Sequence, residues 1–247
     1  MNQRVLILGA TSAIAAAVAS RYGQRGARLH LVGRNATKLR TLTDNLSAFS
    51  PTSALADFEE LGRCEQVIEE AVSALGGVDV ALIAHGDLGD QLQSERDAAA
   101  AERTLRVNFV SVVSLLVPLA NVLEKQRHGT VGVITSVAGE RGRPRNYTYG
   151  AAKGGLNIYL QGLRSRLYRA HVRVVTLKLG PVDTPMTRGH RKTLLFSEPD
   201  AVGRDIVRAL DAGTSEAFVP SFWAAIMPVV RCAPERLFQL LPFLSGR

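Results

Sequence analysis

The chain reads as one α/β domain on a doubly wound, parallel, Rossmann-like sheet, and three observations lead there. Apolar, β-branched runs alternate with helix-length segments along most of the sequence. The runs are continuously apolar rather than alternating, as a sheet covered on both faces requires. The first run enters a turn of small residues, Gly9-Ala10-Thr11-Ser12-Ala13, that opens a helical segment. Strand–helix alternation of this kind implies right-handed βαβ crossovers.

Taken in order, residues 5–8 are the first strand and 13–24 the first helix. Residues 29–32 and 36–46 repeat the pair, and a weaker strand near 53–56 precedes a helix over 59–75. A strand over 80–84 leads to a long helical region, 95–124. A strand over 131–135, a helix over 149–169 and a strand over 172–179 complete the core. No internal repeat or linker interrupts this order. Residues 1–220 are therefore expected to form one domain, and 221–247 an apolar, basic, helical tail.

Bulk properties agree. A length of 247 residues, 46% apolar and 21% charged, suits one globular domain with a buried sheet. Residues 1–8 run straight into apolar sequence without a charged n-region or cleavage site, which argues against a signal peptide. No apolar stretch is expected to reach the roughly 18 residues of a spanning helix. Cys64 and Cys232 stand far apart, so neither a disulfide framework nor a metal site is expected, and a cytoplasmic location follows. The charge of +8 is mostly arginine and diffuse, densest at Arg141, Arg143 and Arg145 and again at Arg188, His190, Arg191 and Lys192. Nucleic acid is not an expected partner, since aromatics are not interleaved in a basic patch. Positive loops around a cleft instead concentrate an anionic cofactor or substrate.

Small residues between strand and helix let backbone N–H groups reach a pyrophosphate at the helix N-terminus. Gly9, Thr11, Ser12, Ala13 and Ile14 are the candidates, although a tight turn beside a close-packed alanine helix would read the same way. The second strand ends in Gly33-Arg34-Asn35, where an NAD site would carry Asp or Glu for the ribose 2′-OH. Arg34 stands there instead. A guanidinium forks onto a 2′-phosphate that a carboxylate would repel, so NADP(H) is the expected cofactor. A solvated loop arginine is the plainer alternative.

Ser136 follows the strand 131–135, and thirteen residues later Tyr149-Gly150-Ala151-Ala152-Lys153 opens a helix. A spacing of four puts Tyr149 and Lys153 on one helix face. A phenol titrates near 10 unaided, and a neighbouring ammonium with a cationic nicotinamide would favour its phenolate. Ser136 is placed to hydrogen-bond a substrate carbonyl. Tyr147 lacks the paired lysine and is expected only to wall the pocket.

With these residues in view, the chain resembles the short-chain dehydrogenase/reductase family over nearly its whole length. The resemblance implies that Ser136, Tyr149 and Lys153 are catalytic, and that Asn108 in Val107-Asn108-Phe109 joins them through a water relay behind Lys153; a helix residue satisfying a kink is the alternative. It further implies cofactor contacts at Asp57, Phe58, Ala84 and Gly86, and a nicotinamide loop with Gly180, Val182 and Thr184. Departures are Ala13 and Ala15 for two turn glycines, Ile83-Ala84-His85-Gly86 after the fourth strand, and Leu179 for a proline. Loss of the usual asparagine at Ala84 removes a sheet-to-loop hydrogen bond, and turns His85 toward the cleft as a loop or pocket residue. Within the family, the segments 79–90 and 138–143 and the tail are most similar to decaprenylphosphoryl keto-pentose and polysaccharide-biosynthesis reductases. That implies NADPH-dependent reduction of a keto-sugar on a phosphate or polyprenyl-phosphate carrier. A non-sugar ketone, acyl or steroid substrate, and a silent NADP-binding sensor, stand as alternatives. The resemblance also implies a homodimer or homotetramer.

In the tail, Phe222, Trp223, Ile226, Met227, Val229 and Val230, then Leu237, Phe238, Leu240, Leu241, Phe243 and Leu244, flank Pro228 and Pro234, with Arg231, Arg236 and Arg247 beside them. An interfacial segment at the inner membrane surface has this make-up. A lid or a subunit contact has it too.

Overall fold

The computed structural model describes residues 2–187, 193 and 195–240. Its centre is a seven-stranded, all-parallel sheet of β1 (Arg4–Leu8), β2 (Arg28–Gly33), β3 (Thr52–Leu55), β4 (Val80–Ile83), β5 (Gly129–Ser136), β6 (Val172–Leu179) and β7 (Glu216–Val219), in the order β3-β2-β1-β4-β5-β6-β7. The order reverses between β1 and β4, and such a switch point opens a crevice at the carboxyl ends of the strands. Gly9, Ala84 and Gly86 sit there.

Alternate residues of each strand feed two cores. Val5, Ile7, Leu29, Leu31, Val175 and Leu177 pack under α1 (Ala13–Gln24), α2 (Ala36–Asn45) and α8 (Pro199–Ala212). Leu6, Leu8, Ala81, Ile83, Val131 and Val133 pack under α3 (Cys64–Leu75), α6 (Ser111–Gln126) and α7 (Tyr147–Leu167). Each fully buried leucine or isoleucine contributes about 1.5–3 kcal/mol, which explains the unbroken apolar runs.

Several boundaries differ from the sequence reading. The expected helix over 95–124 is α5 (Ala98–Leu105), a π-turn (Arg106–Val110) and α6, with a short α4 (Gln91–Ser94) before them. Together residues 98–126 are long and apolar enough to cross a membrane, with mean hydropathy 1.7 over 18 residues, contrary to the expectation that no stretch would be. Leu115, Leu116, Leu119 and Leu123 nevertheless pack into the core. Helix α7 starts at Tyr147, two residues early, and α3 only at Cys64. Two elements were missed: α8, with Pro199 in its first turn and Gly213 closing it at φ 64, and the edge strand β7.

The described tail folds back on the domain as α9 (Trp223–Cys232) and α10 (Glu235–Leu240). Trp223, Met227, Val230 and Phe238 form a small core with Val137. Arg141 latches it: its guanidinium donates to the carbonyls of Val230 (2.7 Å) and Ala233 (2.5 Å), pairs with Glu235 (2.8 Å) and lies 3.9 Å over the Phe238 ring. One apolar face of these helices is thus turned inward, while Phe222, Val229, Leu237 and Leu240 remain exposed. Leu241, Phe243, Leu244, Arg247, Arg188, His190, Arg191 and Lys192 lie outside the described residues.

Candidate active site

The crevice starts at Gly9, whose φ of +83 suits glycine and whose missing side chain admits the β4 loop: a Cβ would lie 2.6 Å from the His85 backbone nitrogen. Both Gly9 and Ala10 donate to the Val32 carbonyl at 2.9 Å, fixing the turn on β2. Ser12 caps α1 by accepting from the Ala15 N–H at 3.1 Å. Its hydroxyl is therefore already engaged, and the N–H groups of Ala13 and Ile14, in the unpaired first turn, are left for an anion. Such a cradle fits a dinucleotide pyrophosphate.

Arg34 ends β2 and pairs with Glu59 at 3.0 Å. No carboxylate stands at this point along β2 itself. Glu59 arrives from the loop after β3, oriented by its own N–H donating to Asp57 (3.0 Å). Arg34, Glu59, Asp87, Arg103 and Val107 line a cavity of about 330 Å³. Phe58 is buried beside it, its ring centroid 4.7 Å from that of His85.

His85 does not hang free in the cleft. Ser111 donates its hydroxyl to the Val107 carbonyl (2.7 Å), so His85 Nε2, 2.8 Å from the same oxygen, is the donor and the ring is neutral. Burial first, then the charges of Lys153 and Arg34, hold its pKa down at about 3. The bond ties the loop after β4 to the start of α6. The His85 Nδ1 is buried without a partner among the described residues.

Asn108 is fully buried in the π-turn. It donates to the carbonyls of Asp87 (2.6 Å) and Thr104 (2.9 Å) and accepts from the Asp87 N–H (3.1 Å). The Asp87 bonds tie the π-turn to the loop after β4, and the same side chain satisfies the Thr104 carbonyl of α5. Gly86 separates it from Lys153: a Cβ there would meet Asn108 Oδ1 at 2.8 Å and Lys153 Nζ at 3.3 Å.

Parallel register sets Ser136 opposite Leu179, so the ends of β5 and β6 carry Ser136 and Gly180 side by side. A one-turn 3-10 helix (Val137–Gly139) then packs on α7 through glycines. A Cβ on Gly150 would lie 2.8 Å from the Ala138 carbonyl oxygen, and one on Gly139 would lie 2.7 Å from the Gly154 nitrogen. The Ser136 hydroxyl accepts from the Ala138 N–H at 3.1 Å and donates to the Leu179 carbonyl at 3.4 Å, close enough to Tyr149 to exert a lowering pull on its pKa. Lys153, 2% exposed, donates to the Ile134 carbonyl at 3.1 Å and lies 5.7 Å from the Tyr149 ring centroid. Tyr147 is 44% exposed at the start of α7, which leaves it outside the buried site. Beyond Gly180, Val182 is buried, and Thr187 accepts from the Thr184 N–H at 3.1 Å. Trp223 covers Gly180, so the tail closes this end.

Electrostatics within the protein differ from the sequence expectation. Burial raises the Tyr149 phenol to about 12; the Ser136 hydrogen bond offsets part of the rise and the Asp87 charge adds to it. The phenol is therefore protonated at neutral pH, the state a proton donor needs. Burial lowers Lys153 from 10.5 to about 8. Below pH 8 both folded and unfolded chains carry this proton, and the folded state bears the full cost of a buried ammonium, on the order of 3 kcal/mol. The cost fades as pH rises from 8 toward 10.5, where only the unfolded chain stays protonated. Lys153→Met is accordingly expected to raise Tm at pH 7 by several degrees, with the gain shrinking above pH 8. A calorimetric pH series checks this, and a variant less stable at pH 7 would contradict it.

A phosphate-cradling turn at a topological switch point, with a Ser, Tyr and Lys gathered at the neighbouring strand ends, defines a nicotinamide-dinucleotide oxidoreductase. The short chain dehydrogenase family matches residues 3–195, and the chain belongs to that family. It is 35% identical to an uncharacterized oxidoreductase of Streptomyces coelicolor over 96% of this chain and 95% of that protein. A Mycobacterium tuberculosis oxidoreductase, also uncharacterized, is 32% identical over 96% of each. A hydroxysteroid 11-beta-dehydrogenase 1-like protein of Xenopus laevis is 27% identical over 93% of this chain and 81% of its own. Levodione reductase shares the fold, with a TM-score of 0.81 over 90% of this chain and 98% of that structure at 21% identity. The cofactor class is accordingly NAD or NADP.

Proposed function

We propose that the protein is an NADPH-dependent carbonyl reductase whose substrate is a keto-sugar bearing a phosphate or polyprenyl-phosphate. The observation that carries the reaction is the placing of buried Lys153 5.7 Å from the Tyr149 ring, with Ser136 close enough to influence that phenol. A bound nicotinamide supplies the hydride. The chain's own residues do the rest. Ser136 donates to the carbonyl oxygen, and Tyr149, held protonated, gives that oxygen its proton. Lys153, fixed on the Ile134 carbonyl, presents positive charge to the phenolate left behind. Asn108 fixes the loop that carries Gly86 against that lysine.

The NADPH preference is supported by Arg34, which must exchange Glu59 for a 2′-phosphate. Both side chains are substantially exposed, so the existing pair is a weak competitor. Arg34→Ala is expected to weaken NADPH about 10–100-fold and leave NADH nearly unchanged, read by fluorescence titration. Equal losses for both, or tighter NADH binding by the unaltered protein, would remove the argument.

The sugar-phosphate reading is supported by the basic loop before α7. A second reading, a hydroxylated or keto lipid such as a steroid, is favoured by the likeness to the Xenopus laevis protein and by the apolar tail core around Val137 and Trp223. Assembly as a homodimer or homotetramer is consistent with exposed Val110, Val117 and Ile158 on α6, its preceding turn and α7.

A further inference from the structure

Arginines in the loop 140–146 have different fates. Arg141 is consumed by the tail latch. Arg143 has no such partner among the described residues. It is half-buried, its Nε is sealed from solvent, and no acceptor or carboxylate reaches it among the described residues. Burial, reinforced by the neighbouring Arg145 charge, presses its pKa down. A guanidinium stays charged regardless, so among the described residues this is a partly desolvated cation without a counter-charge. The segments outside the described residues offer no side-chain carboxylate: 188–192 is Arg-Gly-His-Arg-Lys, 194 is Leu, and 241–247 is Leu-Pro-Phe-Leu-Ser-Gly-Arg.

The position of this cation is informative. The loop joins the Ser136 turn to α7, and the Asn146 N–H donates to the Arg143 carbonyl (3.0 Å) in the turn that starts the Tyr149 helix. Nearby, Gln91 accepts from the Thr148 N–H (3.0 Å), while its Nε2 is buried without a partner. Two unpartnered donors, Gln91 Nε2 and Arg143 Nε, thus belong to residues tied to the start of the helix that carries Tyr149.

We propose that Arg143, assisted by Arg145, is the anion-binding site that anchors a phosphate of the substrate. The missing counter-charge comes with the ligand. An Arg fork matches phosphate geometry in a way that a scattered surface charge does not. The proposal rests on the reductase reading for the word substrate, but the anion site itself does not.

The test begins without turnover. Full-length protein saturated with NADP⁺, or with NAD⁺ if that binds better, is melted in chloride and in inorganic phosphate at equal ionic strength. Phosphate is expected to raise the Tm of the unaltered protein and not that of Arg143→Gln. In chloride the variant should be at least as stable as the parent, because it loses an unpaired charge, and this separates loss of a site from loss of fold. Arg143→Lys should retain part of the phosphate shift. Identical phosphate shifts in parent and Arg143→Gln overturn the proposal. A second arm follows NADPH oxidation with a ketose and its phosphate ester. Arg143→Gln should lower kcat/KM for the ester about 30-fold and leave the free ketose unchanged; equal effects on both also overturn it. If neither compound is reduced while the phosphate shift depends on Arg143, the anion site stands and the keto-sugar reading is what fails.

Discussion

Tyr149→Phe is expected to lower turnover about 10³-fold while changing dinucleotide affinity by less than about twofold, because positioned proton transfer is worth roughly 10²–10⁴-fold. The substitution removes one oxygen and almost no volume. The ring stays partly buried and 5.7 Å from Lys153 Nζ, so the cleft keeps its shape. What disappears is the phenol hydroxyl that would give up the proton. The pH dependence follows from the same environment. With the phenol near 12 and protonated, reduction needs no titration of Tyr149 at neutral pH, and its rate should begin to fall only as Lys153 loses its proton near pH 8. Steady-state rates with a reducible ketone, alongside cofactor titrations, decide the matter. A Phe variant retaining more than a tenth of the parent rate would take the proton-donor role away from Tyr149.

This result would also weigh how much the sequence disclosed. The strand runs were legible because a sheet buried on both faces leaves no polar alternation, and β6 came out at its observed bounds, Val172–Leu179. The edge strand β7 was not, since it is four residues long, opens on exposed Glu216 and buries only Val219 fully. Helix α8 announced itself in Pro199 and Gly213, a start and stop signal that was passed over. At the site, Tyr149, Lys153 and Ser136 were readable from spacing. Glu59 was not, because a partner delivered from β3 to the end of β2 is a fact of tertiary structure. His85 looked like an addition to the cleft, and only the Ser111–Val107 hydrogen bond shows it to be a strut. The inward face of the tail was equally invisible: composition cannot distinguish apolar residues turned onto Val137 from those turned outward.

Gly139 is where sequence, packing and chemistry meet most tightly, and Gly139→Ala is expected to be the most damaging change of a single methyl group. Its Cβ would fall 2.7 Å from the Gly154 nitrogen, 2.8 Å from the Lys153 carbonyl carbon and 3.1 Å from its oxygen. All three are backbone atoms of α7, so no side chain can swing aside. Gly150 and Gly154 answer from the helix, facing the carbonyls of Ala138 and Gly139. Glycines inside a helix cost about 1 kcal/mol each against alanine, and this contact is the reason they are there. Forcing a methyl into the seam moves the Ser136 turn and the Tyr149–Lys153 helix apart. Displacements near 1 Å at a reaction centre cost about 10²-fold in rate, and overpacking of this kind costs about 1–3 kcal/mol in stability. Gly142→Ala is the matched control, since nothing lies within 4 Å of a Cβ there and its φ is ordinary. Thermal melts and turnover should separate the two, with Gly139→Ala losing both and Gly142→Ala neither. If Gly139→Ala kept full turnover, the glycine seam would not be what holds Ser136 to the catalytic helix.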